Sequence, residues 1–212
     1  MAISFYERFN YDFLKGTIDK IMAFVLLVIL SPIFAFVGCL IFFNLGKPII
    51  FSHCRAGLNG KPFNLFKFRS MTNQCNLEGK LLPPDQRLTD FGIFLRSTSL
   101  DELPSLINVL NGDMSFVGPR PLLLDYIPLY SSEQSLRLSV KPGITGLAQI
   151  NGRNLLTWEK KFSLDVKYVK NKSFLLDLKI LFKTTWKVFA RKDITPKNHL
   201  IMDAFKGNKN LN

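Results

Sequence analysis

From Ile21 to Phe43 the chain carries 23 residues without a charge, and Ser31-Pro32 stands close to the middle of them. A helix rises about 1.5 Å per residue, so an unbroken run of this length could cross a hydrocarbon core of about 30 Å. Proline removes a backbone donor and clashes with the carbonyl four residues back, so a kink or break is expected at Pro32. Each half then has about ten residues and reaches about 15 Å, half the membrane. Arg8, Lys15 and Lys20 precede the run, and Lys47, Arg55 and Lys61 follow it. A spanning helix would carry its basic bias on one side only. The expectation is therefore a helix, a break and a second helix that enter and leave by one face, with a proline-containing spanning helix as the alternative. The run is too long for the apolar core of a signal peptide, and Gly38-Cys39-Leu40 is not a small-residue cleavage site.

Charge and apolar content narrow the partners. Lys and Arg number 28 against 16 Asp and Glu, a net charge of +12, in a chain of 212 residues. Such an excess fits nucleic acid, or an anionic membrane with phosphorylated substrates. Hydrophobic residues make up 47% and Phe occurs 20 times, which favours the membrane and argues against a nucleic-acid module. Cys39, Cys54 and Cys75 are an odd set without CxxC spacing, as expected of reduced thiols. Phe5, Phe9 and Phe13 share one helical face. From Phe174 to Arg191 the residues Lys179, Lys183, Lys187 and Arg191 recur every fourth position, with Leu175, Leu178, Phe182, Trp186 and Phe189 on other faces. This helix suits anionic headgroups, or equally a place on the surface of its own domain.

Beyond Gly46-Lys47-Pro48, residues 49–51 and 63–68 are strand candidates, with Asn59-Gly60 between them as a hairpin signal. Residues 72–90 are polar, contain Pro83-Pro84 and read as a loop. Residues 99–110 are expected to be helical. Gly118-Pro119-Arg120-Pro121 and Lys141-Pro142-Gly143-Ile144-Thr145-Gly146 are rich in turn residues.

Asp101-Glu102 is the first chemical candidate. Ser99-Leu100-Asp101-Glu102 matches a capping box, so a purely structural role stands as the alternative. Pro104 makes that helix start irregular, and Arg96 lies five residues upstream. A carboxylate at a helix start beside an arginine could hold a metal ion or attack phosphorus. Arg120 is the second candidate: the prolines on either side stiffen the backbone, so the guanidinium can hold phosphate oxygens at little ordering cost, with a turn carrying a solvated arginine as the alternative. Gln149 and Arg153, in Gly146-Leu147-Ala148-Gln149-Ile150-Asn151-Gly152-Arg153, offer an amide and a further cation for a nucleotide or sugar. There is no Walker-type loop, no GxGxxG and no HExxH. His53 and His199 are the only histidines, which leaves little for a histidine triad or a zinc site.

Together these segments resemble the bacterial sugar transferase family, the monotopic polyprenol-phosphate phosphoglycosyl transferases. The likeness runs from about Asp12 to about Arg191. It includes Asp19-Lys20, Ser31-Pro32, Lys67-Phe68-Arg69-Ser70-Met71, Leu95-Arg96, Leu100-Asp101-Glu102-Leu103-Pro104, Asn108-Val109-Leu110, Gly112-Asp113-Met114-Ser115, Gly118-Pro119-Arg120-Pro121, the Lys141–Gly146 stretch and Gln149-Ile150-Asn151-Gly152-Arg153. The resemblance implies that Asp101 is the nucleophile that attacks the sugar-linked phosphorus of a UDP-sugar and expels UMP, with Glu102 assisting. It also implies Mg²⁺ on the Asp101–Glu102 pair and polyprenyl (undecaprenyl) phosphate as acceptor. Lys67, Arg96 and Arg120 would neutralise phosphate charge. Asp165 matches a family carboxylate and is grouped with Gln149 and Arg153 at the nucleotide sugar. The compact size is similar to that of members acting on amino-deoxy sugars such as N,N'-diacetylbacillosamine.

The expected architecture is α+β: a membrane-anchoring helix and re-entrant helix over 1–46, a phosphoglycosyl transferase domain with a small sheet over 47–192, and a polar tail over 193–212. The expected place is the cytoplasmic face of a bacterial inner membrane, with membrane lipid and downstream glycosyltransferases as further partners and no nucleic acid. The alternative is a non-catalytic membrane scaffold for glycan-assembly enzymes, in which Asp101 and Glu102 merely cap a helix.

Overall fold

A computed structural model of the chain describes residues 5–152, 155–189 and 204–207, without the side chains of 5–9 and 189. Helix α1 (Phe5–Ile29) runs without interruption into the apolar stretch, so the anchoring helix and the first arm of the broken pair are one element. After Leu30 the chain turns by 64° into α2 (Ser31–Leu45), which carries Pro32 in its first turn. Pro32 cannot donate to Val28, the carbonyl four residues back; the Ser31 hydroxyl donates to that oxygen instead, at 2.8 Å. Among the described residues no single helix is long and apolar enough to cross a membrane, whereas this bent pair passes by length and composition.

Two small sheets carry the rest. Strands β1 (Ile50–Ala56) and β2 (Pro62–Phe68) form the antiparallel hairpin expected around Asn59-Gly60. Strands β3 (Ser115–Val117) and β4 (Gly143–Thr145) pair in parallel. The second pairing was not legible from the turn-rich composition of Lys141–Gly146. It exists because three glycines let backbones meet: a β-carbon on Gly118 would collide with Lys141 O, one on Gly143 with Gly118 N, and one on Gly146 with Gly118 O.

The loop read over 72–90 holds one short helix, α3 (Pro84–Arg87), and is followed by α4 (Asp90–Ser97), capped by Thr89, whose Oγ1 accepts from Gly92 N at 3.1 Å. The single helix expected over 99–110 is divided. Leu100–Glu102 is a 3-10 turn, and α5 (Ser105–Asn111) begins only after Pro104. Further helices are α6 (Ser132–Ser135), α7 (Leu147–Ile150), α8 (Trp158–Asn171) and α9 (Phe174–Phe189).

The main core joins α1, α5, β2, β3, α7, α8 and α9 through Ala23, Leu106, Val109, Leu65, Val117, Ile150, Tyr168 and Ile180. A second cluster, Val37, Ile41, Phe68 and Leu95, seats α2 on β2 and α4. Buried Asp177 of α9 ties the first to the last helix: it accepts from Tyr11 Oη at 2.6 Å, Lys15 Nζ at 2.7 Å and Tyr168 Oη at 2.8 Å. Helix α9 thus packs through Asp177 and Ile180 and leaves Leu175, Leu178, Phe182 and Trp186 exposed, so it is at once a packed surface helix and an unpartnered apolar stripe. Phe13, Ile21, Phe24, Val28, Ile29, Phe36 and Phe43 of the bent pair are exposed as well. An apolar surface this extensive marks an interaction with lipid or another chain.

Candidate active site

The 3-10 turn that carries Asp101 and Glu102 is wedged between α4 and α5. Ser99 stands in the left-handed region at φ 59° and its side chain makes no capping bond, so the capping box matched by the sequence is not formed. Pro104 has no N–H to give the Leu100 carbonyl, so a continuous helical ladder cannot run through it; Leu103 keeps helical angles, and α5 starts only after the proline.

Helix α5 is fixed to β2 by polar side chains. Phe66 N donates to Asn108 Oδ1 at 2.9 Å, Asn108 Nδ2 donates to Asn64 O at 2.7 Å, and Ser105 Oγ donates to Phe66 O at 3.0 Å. Asn108 is wholly buried and Ser105 nearly so, and these bonds satisfy the open edge of β2. They also set Lys67, the next residue of β2, opposite the turn, where its Nζ meets Glu102 Oε1 at 2.7 Å.

Arg120 arrives from the other side. The glycine crossing is closed by Gly118 N donating to Thr145 O and Gly143 N donating to Pro119 O, both at 2.9 Å. Behind it, Arg137 Nη2 donates to the Arg120 carbonyl at 2.6 Å. So held, the Arg120 guanidinium bonds Glu102 through Nη2, with Nη1 3.5 Å from Oε2. Arg96, on α4, donates through Nε to Ser70 Oγ at 3.0 Å, and its charge acts on Asp101 and Glu102.

The two carboxylates are in different states. Burial, reinforced by the Glu102 charge, pushes Asp101 up to about 6, against the pull of Lys67, Arg96 and Arg120. Burial works against the charge on Glu102 too, but the Arg120 guanidinium and the Lys67 ammonium outweigh it and hold that carboxyl well below the usual range. Glu102 in turn keeps the Arg120 guanidinium charged, while burial lowers Arg96. The Asp101 side chain accepts no hydrogen bond from a described residue, so its oxygens are open to an incoming group.

Of the residues read from the sequence, Asp101, Glu102, Lys67, Arg96 and Arg120 come together. Asp165 does not join them: it is buried on α8, and its Oδ2 accepts from Arg137 Nε at 3.1 Å and Nη2 at 3.0 Å. It braces the arginine that holds Arg120. Gln149 lies in α7 against Gly146, and its amide oxygen and nitrogen are buried with no protein partner among the described residues. Arg153 and Arg191 lie outside the described residues.

Arg55 and Arg137 were missed as site residues. The Ala56 N to Leu122 O bond, 3.0 Å, brings the end of β1 beside the Arg120–Leu122 segment. Burial, and then the nearby Arg120 charge, lower the Arg55 guanidinium, and its Nε is buried without a partner among the described residues. In the sequence Arg55 is only one more basic residue after the apolar run. Arg137, a lone arginine between two leucines, carries no local signal at all.

The donor set bears on Mg²⁺. Among the described residues no three His, Cys, Asp or Glu side chains gather as a metal cage. Glu102 is committed to Lys67 and Arg120, so a metal seated equally on both carboxylates would have to displace a cation. Asp101 alone is open, which fits a hard ion held by one carboxylate and completed by substrate phosphates.

A buried acidic pair surrounded by cations, with one carboxylate accepting no hydrogen bond from a described residue, has the charge arrangement that suits anionic phosphate groups. The chain belongs to the bacterial sugar transferase family, whose model matches residues 10–191. It is 52% identical over 194 residues to the uncharacterized sugar transferase EpsL of Bacillus subtilis (strain 168), covering 92% of this chain and 96% of that one. It is 40% identical over 187 residues to the exopolysaccharide production protein ExoY of Sinorhizobium fredii, covering 80% of this chain and 83% of the relative. It is 44% identical over 185 residues to the UDP-glucose:undecaprenyl-phosphate glucose-1-phosphate transferase of Klebsiella pneumoniae, covering 82% of this chain and 40% of that longer protein.

Proposed function

We propose that the protein transfers a sugar-1-phosphate from a UDP-sugar to undecaprenyl phosphate, in two steps that use Asp101 twice. One observation carries the reading: Asp101 is open and buried beside Glu102, within a ring of Lys67, Arg96 and Arg120. In the first step an Asp101 oxygen attacks the sugar-linked phosphorus, the bond from that phosphorus to the oxygen bridging to the uridine-linked phosphate breaks, and UMP leaves with that oxygen. In the second, a phosphate oxygen of undecaprenyl phosphate attacks the same phosphorus and the Asp101 carboxylate leaves. A covalent intermediate lets two bulky phosphates use one site in turn.

Glu102 holds Lys67 and Arg120 at fixed places, so both cations face the phosphates without reorganising as charge develops. Arg55, whose buried Nε has no acceptor among the described residues, would add a further donor beside Arg120. Gln149, whose buried amide has no partner among the described residues, would read the nucleotide. Mg²⁺ would sit on Asp101 and the substrate pyrophosphate and neutralise charge there. Relatives named for glucose and galactose donors leave the sugar open.

The exposed apolar surface of α1, α2 and α9 supports a monotopic seat on the cytoplasmic face of the inner membrane, where the acceptor lipid resides. The test offers purified protein, Mg²⁺ and undecaprenyl phosphate a panel of UDP-sugars and records UMP. Release with at least one donor is expected; none with any donor would remove the reading.

A further inference from the structure

Phe205 lies beyond the stretch matched by the family, yet it is among the buried residues of the protein, 5% exposed. Its ring is set among four others, with centroid separations of 5.7 Å to Tyr126, 6.1 Å to Tyr130, 5.4 Å to Trp158 and 5.0 Å to Phe162. Those four come from two separate elements: the 3-10 segment Leu124–Leu129 with its neighbour Tyr130, and helix α8. They also touch one another, Trp158 stacking on Phe162 at 5.7 Å and Tyr130 meeting Phe162 edge-on at 5.3 Å. Phe205 is the wedge common to both sides.

The cluster has a polar neighbour that leads to the active site. The Arg137 guanidinium lies 5.7 Å from the ring centres of Tyr130 and of Phe162, and Nη1 donates to Tyr130 Oη at 3.3 Å. Arg137 is the residue that pairs with Asp165 and grips the Arg120 carbonyl. We infer that Phe205 is a positioning residue for this transferase: by closing the aromatic cluster it fixes Tyr130 and Phe162 against Arg137, and through Arg137 the backbone that presents Arg120. The inference rests on the reaction proposed above. Removing the phenyl ring leaves a void that the surrounding rings partly fill by shifting, because close-packed side chains have few other ways to recover contacts. A displaced Arg137 then frees Arg120, and a small misplacement of a phosphate-binding arginine is costly.

Two measurements test this. The chain has two tryptophans, so in a Trp186→Phe background fluorescence reports Trp158 alone. Phe205→Ala is expected to shift that emission to the red and increase its quenching by acrylamide; an unchanged spectrum would overturn the inference. In the UMP-release assay Phe205→Ala is expected to lower kcat/KM for the UDP-sugar about tenfold. Phe205→Tyr, which keeps the ring, is expected to stay within about twofold of the parent. In an Arg120→Lys background the same alanine change is expected to add less than about twofold, because the two residues act in series. Equal losses in both backgrounds, or none in the first, would overturn positioning. If the alanine variant fails to fold, Phe205→Leu carries the same comparison. A parent protein that releases no UMP would count against the proposed reaction, while the fluorescence still decides whether Phe205 is seated.

Discussion

Asp101 and Glu102 are neighbours in one 3-10 turn, and the protein drives their carboxyl groups in opposite directions. Glu102 is clasped by Lys67 and Arg120 and stays ionised, whereas Asp101 receives no hydrogen bond from a described residue and is pushed up to about 6 by burial and by Glu102. A nucleophile must be ionised to attack, so activity is expected to fall as pH drops through about 6. The sign for stability is the reverse. Between the ordinary carboxylate value of 3.8 and about 6 the folded protein binds a proton that the unfolded chain does not, so ionising Asp101 costs stability as pH rises. Asp101→Asn is therefore expected to melt higher than the parent at pH 7.5 in detergent and at the same temperature at pH 4. An unchanged or lower melting temperature at pH 7.5 would contradict the raised Asp101.

Asp101→Asn is also expected to lower UMP release about a thousandfold or more, since the covalent route is closed. Incubating the parent protein with donor alone is expected to add the mass of one phospho-sugar, on the peptide that contains Asp101. The same adduct on the Asn variant, or on a peptide lacking residue 101, would move the nucleophile elsewhere.

How much of this was legible depended on whether a residue's role is local. Ser31-Pro32 could be read because a missing donor and the orphaned carbonyl of Val28 are consequences of sequence spacing alone, and the Ser31 hydroxyl fills the gap at 2.8 Å. The hairpin around Asn59-Gly60 followed for the same reason. Lys67, Arg96, Asp101, Glu102 and Arg120 were named individually, but nothing in their order says that Glu102 is the anion between Lys67 and Arg120. That requires Asn108 and Ser105 to bind α5 to β2, a contact across some forty residues of chain. The parallel β3–β4 pair was hidden because glycines that look like turn formers serve there to let backbones touch. The pairing of Asp165 was hidden for a related reason: its partner Arg137 is remote in sequence, and only the fold brings the two together.

Metal dependence separates the two carboxylates further. A pyrophosphate approaching Asp101 meets one ionised carboxylate that has no cation bonded to it, and a hard divalent ion relieves that repulsion. EDTA is expected to abolish UMP release and Mg²⁺ to restore it. Glu102→Gln is expected to leave the Mg²⁺ concentration for half-maximal activity within about threefold of the parent even as turnover falls, because Glu102 is occupied by Lys67 and Arg120. Undiminished release in EDTA would discard the metal. A large rise in the Mg²⁺ requirement of Glu102→Gln would instead return Glu102 to the metal.

The bend at Leu30 sets the last expectation. Its 64° turn separates α1 from α2, and neither arm alone is long and apolar enough to cross a membrane. The exposed apolar residues on both arms, among them Phe24, Ile29, Phe36 and Phe43, call for cover by lipid or by another chain, and the proposed seat supplies lipid. In the proposed monotopic arrangement a bent pair would dip into one leaflet and return, and the Ser31 hydroxyl already satisfies the carbonyl that the break exposes. A cysteine at position 4, in a protein lacking Cys39, Cys54 and Cys75, is expected to resist a membrane-impermeant thiol reagent on intact spheroplasts and to react after lysis. Replacing Ser31 by Ala and Pro32 by Leu restores a donor at position 32 and removes the hydroxyl that stabilises the break. In that background the cysteine is expected to become reactive in intact spheroplasts, as the straightened helix gains the length to span. Labelling of intact spheroplasts with Ser31 and Pro32 in place would mean that the pair crosses the membrane, and the one-face arrangement would fall.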